Sequence, residues 1–160
     1  MSNIFLPEHF KIVTATAPVT TNGGVTFDNI QLRDAIMVWI VAEFTQAVAH
    51  ATTIQPVVGP TDVACTTSIT FSADWWKNVD TGTTDTLVAQ TAGTSMACDA
   101  AATDHLLVIQ IDPSDVVAQL STYDWLGATI ATSAQGTDFV SADYFIQTRM
   151  PQATPRSAIA

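Results

Sequence analysis

The sequence predicts an all-β protein: an antiparallel β-sandwich of jelly-roll or Ig-like type, with about eight or nine strands and extended N- and C-terminal arms. Three observations lead there. Apolar residues recur with period two in short runs, and no segment sustains a 3.6-residue period over about twelve residues. Clusters of Gly, Pro, Asn, Asp and Thr separate the runs. Thirteen of the fifteen acidic residues are Asp, which favours turns and caps over helix interiors. The 160 residues suit one sandwich body over 9–149, flanked by an N-terminal arm (1–8) and a C-terminal arm (150–160).

The first run is "HFKIVTAT" (9–16), with Phe10, Ile12 and Thr14 on one side and Lys11, Val13 and Ala15 on the other. "NGG" at 22–24 reads as a hairpin, because Asn-Gly tolerates the positive φ of a tight turn, and "VTFDNIQL" (25–32) follows it. "AIMVWIVAEF" (35–44) is apolar on both faces, so a strand covered on both sides is expected, by a second sheet on one face and a neighbouring subunit on the other. Trp39 is accordingly expected to be buried. Pro56 pushes "TTIQPVV" (52–58) toward a sheet edge. "SITFSADWWKNV" (68–79), "DTLVAQ" (85–90) and the apolar "HLLVIQI" (105–111) are further strands. "DPSDVVAQL" (112–120) is the one helix-like start: Asp112 can cap, Pro113 fits the first turn, and Asp115 sits near the positive helix end. "WLGATIAT" (125–132) and "FVSADYFIQT" (139–148) complete the set, the latter with Val140, Ala142, Tyr144 and Ile146 on one face. Pro151 then stops the ladder, since proline has no N–H to donate.

Composition narrows the function classes. Hydrophobic residues make up 48% of the chain and charged ones 12%, about half the usual ~25%. A surface so poor in charge suits a protein that buries part of it against other subunits, or an extracellular-style β protein with a Thr-rich coat. The net charge is −10, and Lys11, Arg33, Lys77, Arg149 and Arg156 are scattered. Nucleic acid and anionic membranes are therefore poor partners, since both need clustered cations. The longest apolar run, 35–42, is too short to cross a bilayer. The first residues lack a basic and apolar export pattern, so the expectation is a soluble protein made in a reducing cytoplasm, with Cys65 and Cys98 as free thiols.

Site chemistry is sparse. His9, His50 and His105 lack the spacing of a metal site, and no Asp-rich calcium loop is present. Ser95 and Cys98 in "AGTSMAC" (92–98) have no base at a telling distance, and no phosphate-cradling glycine pattern occurs. No catalytic residue, metal or cofactor is expected. Asp99, Asp104, Asp112 and Asp115 read as turn and cap residues. The sharpest local feature is "ADWWKN" (73–78): Trp75 and Trp76 point to opposite faces of a strand, so at most one fills the core. The other lies on a surface, and packing within the subunit, a protein interface and a sugar-stacking platform all stay open for it.

"LPEHFKIV" (6–13), "LRDAIMVWIVAEFTQ" (32–46), "VIQIDPSDV" (108–116) and "TRMPQATPRSAI" (148–159) together resemble a family of small tailed-phage virion proteins encoded among head-assembly genes. The similarity runs from end to end, and over 50–100 it lies in pattern more than in residues. Where that family's tail has an aromatic before its first proline and a further proline after the second, this chain has Met150 and Arg156. The resemblance implies a non-enzymatic structural role, foremost a capsid decoration (cement) protein. Its partners would be its own copies, with a trimer among the options, and the major capsid protein. The resemblance does not fix the virion surface, and the negative charge without basic patches favours the capsid exterior or a connector-proximal place over a DNA-lined interior. A carbohydrate-binding or receptor-contacting virion module, and a head–tail connector or tail component, are the alternatives. Candidate interface residues are Trp75, Trp76, Met150, Pro151, Pro155, Arg156 and Ile159.

Overall fold

The computed structural model describes residues 9–149. The segments expected as arms, 1–8 and 150–160, lie outside the described residues, and with them Met150, Pro151, Pro155, Arg156 and Ile159. In chain order the strands are β1 (Phe10–Thr20), β2 (Val25–Thr26), β3 (Ile30–Gln31), β4 (Ala35–Thr45), β5 (Thr53–Gly59), β6 (Thr67–Ser68), β7 (Asp74–Asn78), β8 (Val88–Ala89), β9 (Met96–Ala97) and β10 (Asp104–Ile111). Helix α1 (Pro113–Gln119), β11 (Trp125–Ile130) and β12 (Phe139–Thr148) follow.

Two antiparallel sheets pack face to face. Sheet A has the order β1-β12-β4-β10-β7-β8, and sheet B the order β2-β11-β5-β6, with β3 also on β11 and β9 also on β5. With β2 and β3 as one interrupted strand and β6 with β9 as another, eight positions emerge, β7 and β8 extending sheet A beyond them. The first, last, third and sixth positions then form one sheet, and the second, seventh, fourth and fifth the other. That is the double Greek key of a jelly roll, so of the two expected sandwich types the topology selects the first.

Alternation supplies the core. Val38, Ile40, Ala42 and Phe44 of β4 are buried together with Leu107, Ile109 and Ile111 of β10 and Val140, Ala142, Tyr144 and Ile146 of β12. From sheet B and its loops come Phe27, Ile30, Ile54, Val58, Met96, Leu126, Ala128 and Ile130. Helix α1 forms as its sequence suggests: Asp112 Oδ1 accepts from the Ser114 N–H at 2.8 Å, Pro113 opens the helix, and Val116 is its buried residue.

Several expectations need correction. The turn at 22–24 does form, with Gly24 at φ 78° and its N–H donating to Thr21 O at 3.1 Å, but it carries the chain from sheet A to sheet B rather than closing a hairpin. Turn residues specify a reversal, not the partner; the place beside β1 is taken by β12. Pro56 is not on a bare edge. It faces Ala128 of β11 in register, while its carbonyl accepts from Ile69 N on the other side of β5. A residue's N–H and C=O point to the same side of a strand, so the missing N–H falls toward the β6/β9 side. There β6 pairs Val57 and Val58, β9 pairs Thr53 and Ile54, and Pro56 sits in the gap between them. The run 68–79 is two strands in different sheets, β6 and β7, joined through buried Ile69 and Ala73. The expectation for β4 is met on one face, which packs on sheet B; its other face is not covered by the described residues.

Candidate interaction surface

The open face is the outside of sheet A. Register places its side chains in cross-strand rows. Ile12, Phe145, Trp39 and Gln110 form one row, and Asp143, Val41, Val108 and Trp76 the next. Phe10, Gln147 and Met37 lie on one flank of these rows; Ser141, Glu43 and Leu106 lie on the other. Ile12 is 49% exposed, and Trp39, Val41, Val108, Phe145 and Trp76 are half-buried. The rings of Phe10 and Trp39 sit with centroids 5.8 Å apart, and the Trp39 Nε1–H donates to Gln110 Oε1 at 3.1 Å. Phe10, Trp39, Val41, Val108 and Phe145 line a shallow depression of about 340 Å³. An apolar surface of this kind on the outside of a sandwich is a candidate interaction site.

The tryptophan pair divides as alternation requires. Trp75 faces the core and its Nε1–H donates to Thr91 O at 2.9 Å, so it belongs to the packed interior. Trp76, opposite Val108, stands on the outer face beside the aromatic row. Trp39, expected in a strand covered by a second sheet on one face and a neighbouring subunit on the other, is a half-buried member of this outer face within the single chain, as are Phe10 and Phe145. Sequence reasoning expected one apolar face of 35–44 to meet a neighbouring subunit, but did not say that Trp39 lay on it and did not place Phe10 or Phe145 there. The signal was present in the second, offset set of apolar residues in 35–44, but nothing in one strand says which set meets the other sheet.

The remaining titratable groups are built for packing. Burial pushes the Cys65 thiol up to about 12, and burial, aided by Asp99 and Asp138 and opposed by the Thr52 backbone and Lys77, pushes the Cys98 thiol up to about 11. Neither is a thiolate at neutral pH, and both are free. Cys98 Sγ accepts from Gln46 Nε2 at 3.2 Å. His105 is buried, with Nε2 near Ala101 O (3.1 Å) and Thr103 Oγ1 (3.3 Å). Asp138 Oδ1 accepts from the Ala47 and Val48 N–H groups at 3.0 and 3.1 Å, which ties the loop after β4 to the start of β12. Tyr144 is fully buried, and burial raises its pKa well above the usual tyrosine value. A depression of about 380 Å³ at the end of the sandwich is lined by Glu43, Asp85, Asp104 and His105 among others, yet no group of His, Cys, Asp or Glu among the described residues could hold a metal ion. No helix among the described residues is long and apolar enough to cross a membrane.

The fold and surface together define a jelly-roll β-sandwich with one apolar outer sheet face. Comparison with known proteins finds no matching family model, no matching curated protein and no matching solved structure.

Proposed function

We propose that this protein is a non-enzymatic structural component of a tailed-phage virion, a capsid decoration (cement) protein that works through contacts with its own copies and with the major capsid protein. The observation that carries this reading is the outer face of sheet A, where aromatic and aliphatic side chains from four adjacent strands are left without cover by the described residues. A low charge content and the jelly-roll topology, which viral capsid domains share, are consistent with it, the latter by analogy of fold alone. The net charge of −10 favours a place on the shell exterior over a DNA-lined interior. Such a protein needs no chemistry: binding only the assembled shell stabilises that state by mass action.

Purified protein added to shells stripped of it should bind to saturation and raise the temperature at which the shells come apart. A chain that binds no shell and stays monomeric at every concentration overturns the reading. A second reading has one observation in its favour: Trp76 and Trp39 lie on a face that also carries Gln110, Asp74 and Asp143, the mix of aromatic platform and hydrogen-bonding groups that sugars use. Glycan-dependent quenching of tryptophan fluorescence, lost in Trp76→Ala, would favour that carbohydrate-binding module instead.

A further inference from the structure

The outer face of sheet A has a one-sided charge. Its described charged side chains are Asp74, Asp143, Glu43 and Asp104, all carboxylates. The nearest lysines fall on the opposite side of their strands: Lys11 pairs with buried Ile146, and Lys77 with buried Leu107. Two such faces pressed together would bring only like charges. The face is also small: five strands ~4.8 Å apart and about eight residues long give roughly 500–600 Å², short of the ~800 Å² per partner of a standard interface. An occupant that is apolar, extended and cationic fits better.

The chain contains such a segment. Residues 150–160, "MPQATPRSAIA", hold no carboxylate side chain, one cation, Arg156, and the apolar Met150, Ala153, Ala158 and Ile159. The segment joins the body at the right place. β12 runs between β1 and β4, and the Arg149 N–H donates to Asp34 O at 3.1 Å, so the chain leaves sheet A at the Phe10–Gln147–Met37 end of the face. Met150 precedes a proline, which biases it to extended backbone and against folding straight back over its own sheet. From Arg149 to Arg156 an extended, proline-containing chain covers ~22 Å. Along the strands the rows of Asp143 and Glu43 lie ~14 to ~20 Å from the Gln147 row. Charge, direction and length agree.

We propose that residues 150–160 of one copy lie extended across the outer face of sheet A of a neighbouring copy, with Arg156 against Asp143 and Glu43 and the apolar residues over Trp39, Phe145, Val41 and Val108. The inference rests on the homo-oligomeric reading above. Copies meeting at their exit ends exchange these segments around a symmetry axis, and each face is covered by a neighbour.

The test uses the full chain, a chain lacking 150–160, Arg156→Glu, and Arg156→Glu combined with Glu43→Arg, each followed by light scattering after gel filtration. The full chain should be oligomeric and the deletion should dissociate it while its circular dichroism stays that of a folded β protein. Arg156→Glu should weaken association by about tenfold, and Glu43→Arg should restore most of that loss. Chains carrying Ala158→Cys, mixed with chains carrying Ser141→Cys and oxidised, should form a covalent dimer, which only segments crossing between copies can give. An oligomer that keeps its mass after the deletion, or one that yields no covalent dimer, overturns this inference and leaves the homo-oligomeric reading standing. A deleted chain that unfolds also overturns it, because the segment would then belong to its own core. A full chain that is monomeric at every concentration overturns the oligomeric reading itself.

Discussion

The two faces of sheet A come from the same strands and nearly the same residue types, yet they have different fates. On β4 the inner set, Val38, Ile40, Ala42 and Phe44, is at most 2% exposed, while Met37, Trp39 and Val41 on the outer side remain half-buried. On β7 adjacent tryptophans divide in the same way. The inner residues meet sheet B and complete a close-packed core, where each lost methylene leaves a cavity. The outer residues meet mainly one another and water. Hydrophobicity is thus common to both faces; what distinguishes them is whether the described residues supply the second layer. On the proposed reading, stability and assembly are carried by different sides of the same strands.

Substitutions can break or sharpen that contrast. The largest effect is expected within the tryptophan pair. Trp75→Ala should cost about 3–5 kcal/mol in urea unfolding, because it empties a core site and leaves Thr91 O without its donor. Equal losses for Trp75→Ala and Trp76→Ala would erase the distinction between the faces. Trp39→Ala should cost the fold less, about 1–2 kcal/mol, since the side chain is only partly removed from water, and should act more strongly on association measured by sedimentation. A core-sized loss would mean that the outer face is packed within the subunit.

Alkaline pH probes the inner side chemically. The Cys98 thiol is raised from its ordinary 9.0 to about 11, and the Cys65 thiol from 9.0 to about 12. The folded state therefore holds these protons more tightly than the unfolded chain. The stability this confers is complete below pH 9 and is lost as pH climbs through about 11 to 12. For Cys98 alone the loss is on the order of 1–2 kcal/mol after allowing for solvent screening, and Cys98→Ala should flatten that part of the urea-midpoint profile. A midpoint that does not move between pH 8 and pH 11 would contradict the burial of both thiols. A smaller effect is expected at Tyr144, whose hydroxyl has no hydrogen-bond partner although it is buried. Tyr144→Phe should change stability by less than about 1 kcal/mol, in either direction, whereas a loss above about 2 kcal/mol would reveal a bonded hydroxyl. Smallest of all is the Lys77–Asp99 pair at 3.2 Å, where Asp99 is 54% exposed. Asp99→Asn should shift the urea midpoint by no more than about 0.5 kcal/mol, and a larger shift would make this exposed pair a structural tie.

Much of the local structure was legible in the chain. The bounds of β12 at 139–148, its buried set, the Asp112 cap with Pro113 behind it, and the opposite facing of Trp75 and Trp76 all follow from period-two alternation and cap chemistry. Those are nearest-neighbour effects, written in consecutive residues. The misread places share a different cause. Asn22-Gly23-Gly24 encodes a reversal but not the sheet it leads to, and Pro56 encodes a missing donor but not the gap between β6 and β9 that tolerates it. The run 68–79 crosses from one sheet to the other without any punctuation strong enough to show it. The candidate surface was legible only in part: Trp75 and Trp76 stood out as a pair of which one must face outward, with three fates open for it, while Trp39 was expected to be buried and Phe10 and Phe145 were not singled out.

By itself, then, the sequence determined the class of the fold, the positions of its long strands and helix, and the fact that β4 has two apolar faces, because backbone geometry and burial periodicity act over a few residues. Only the tertiary structure decided the jelly-roll order, the pairing of the first strand with the last, and which face of sheet A stays uncovered. Those depend on contacts between residues more than a hundred positions apart, such as Phe10 with Gln147, and no local pattern distinguishes the side that will find a partner within the chain from the side left facing out.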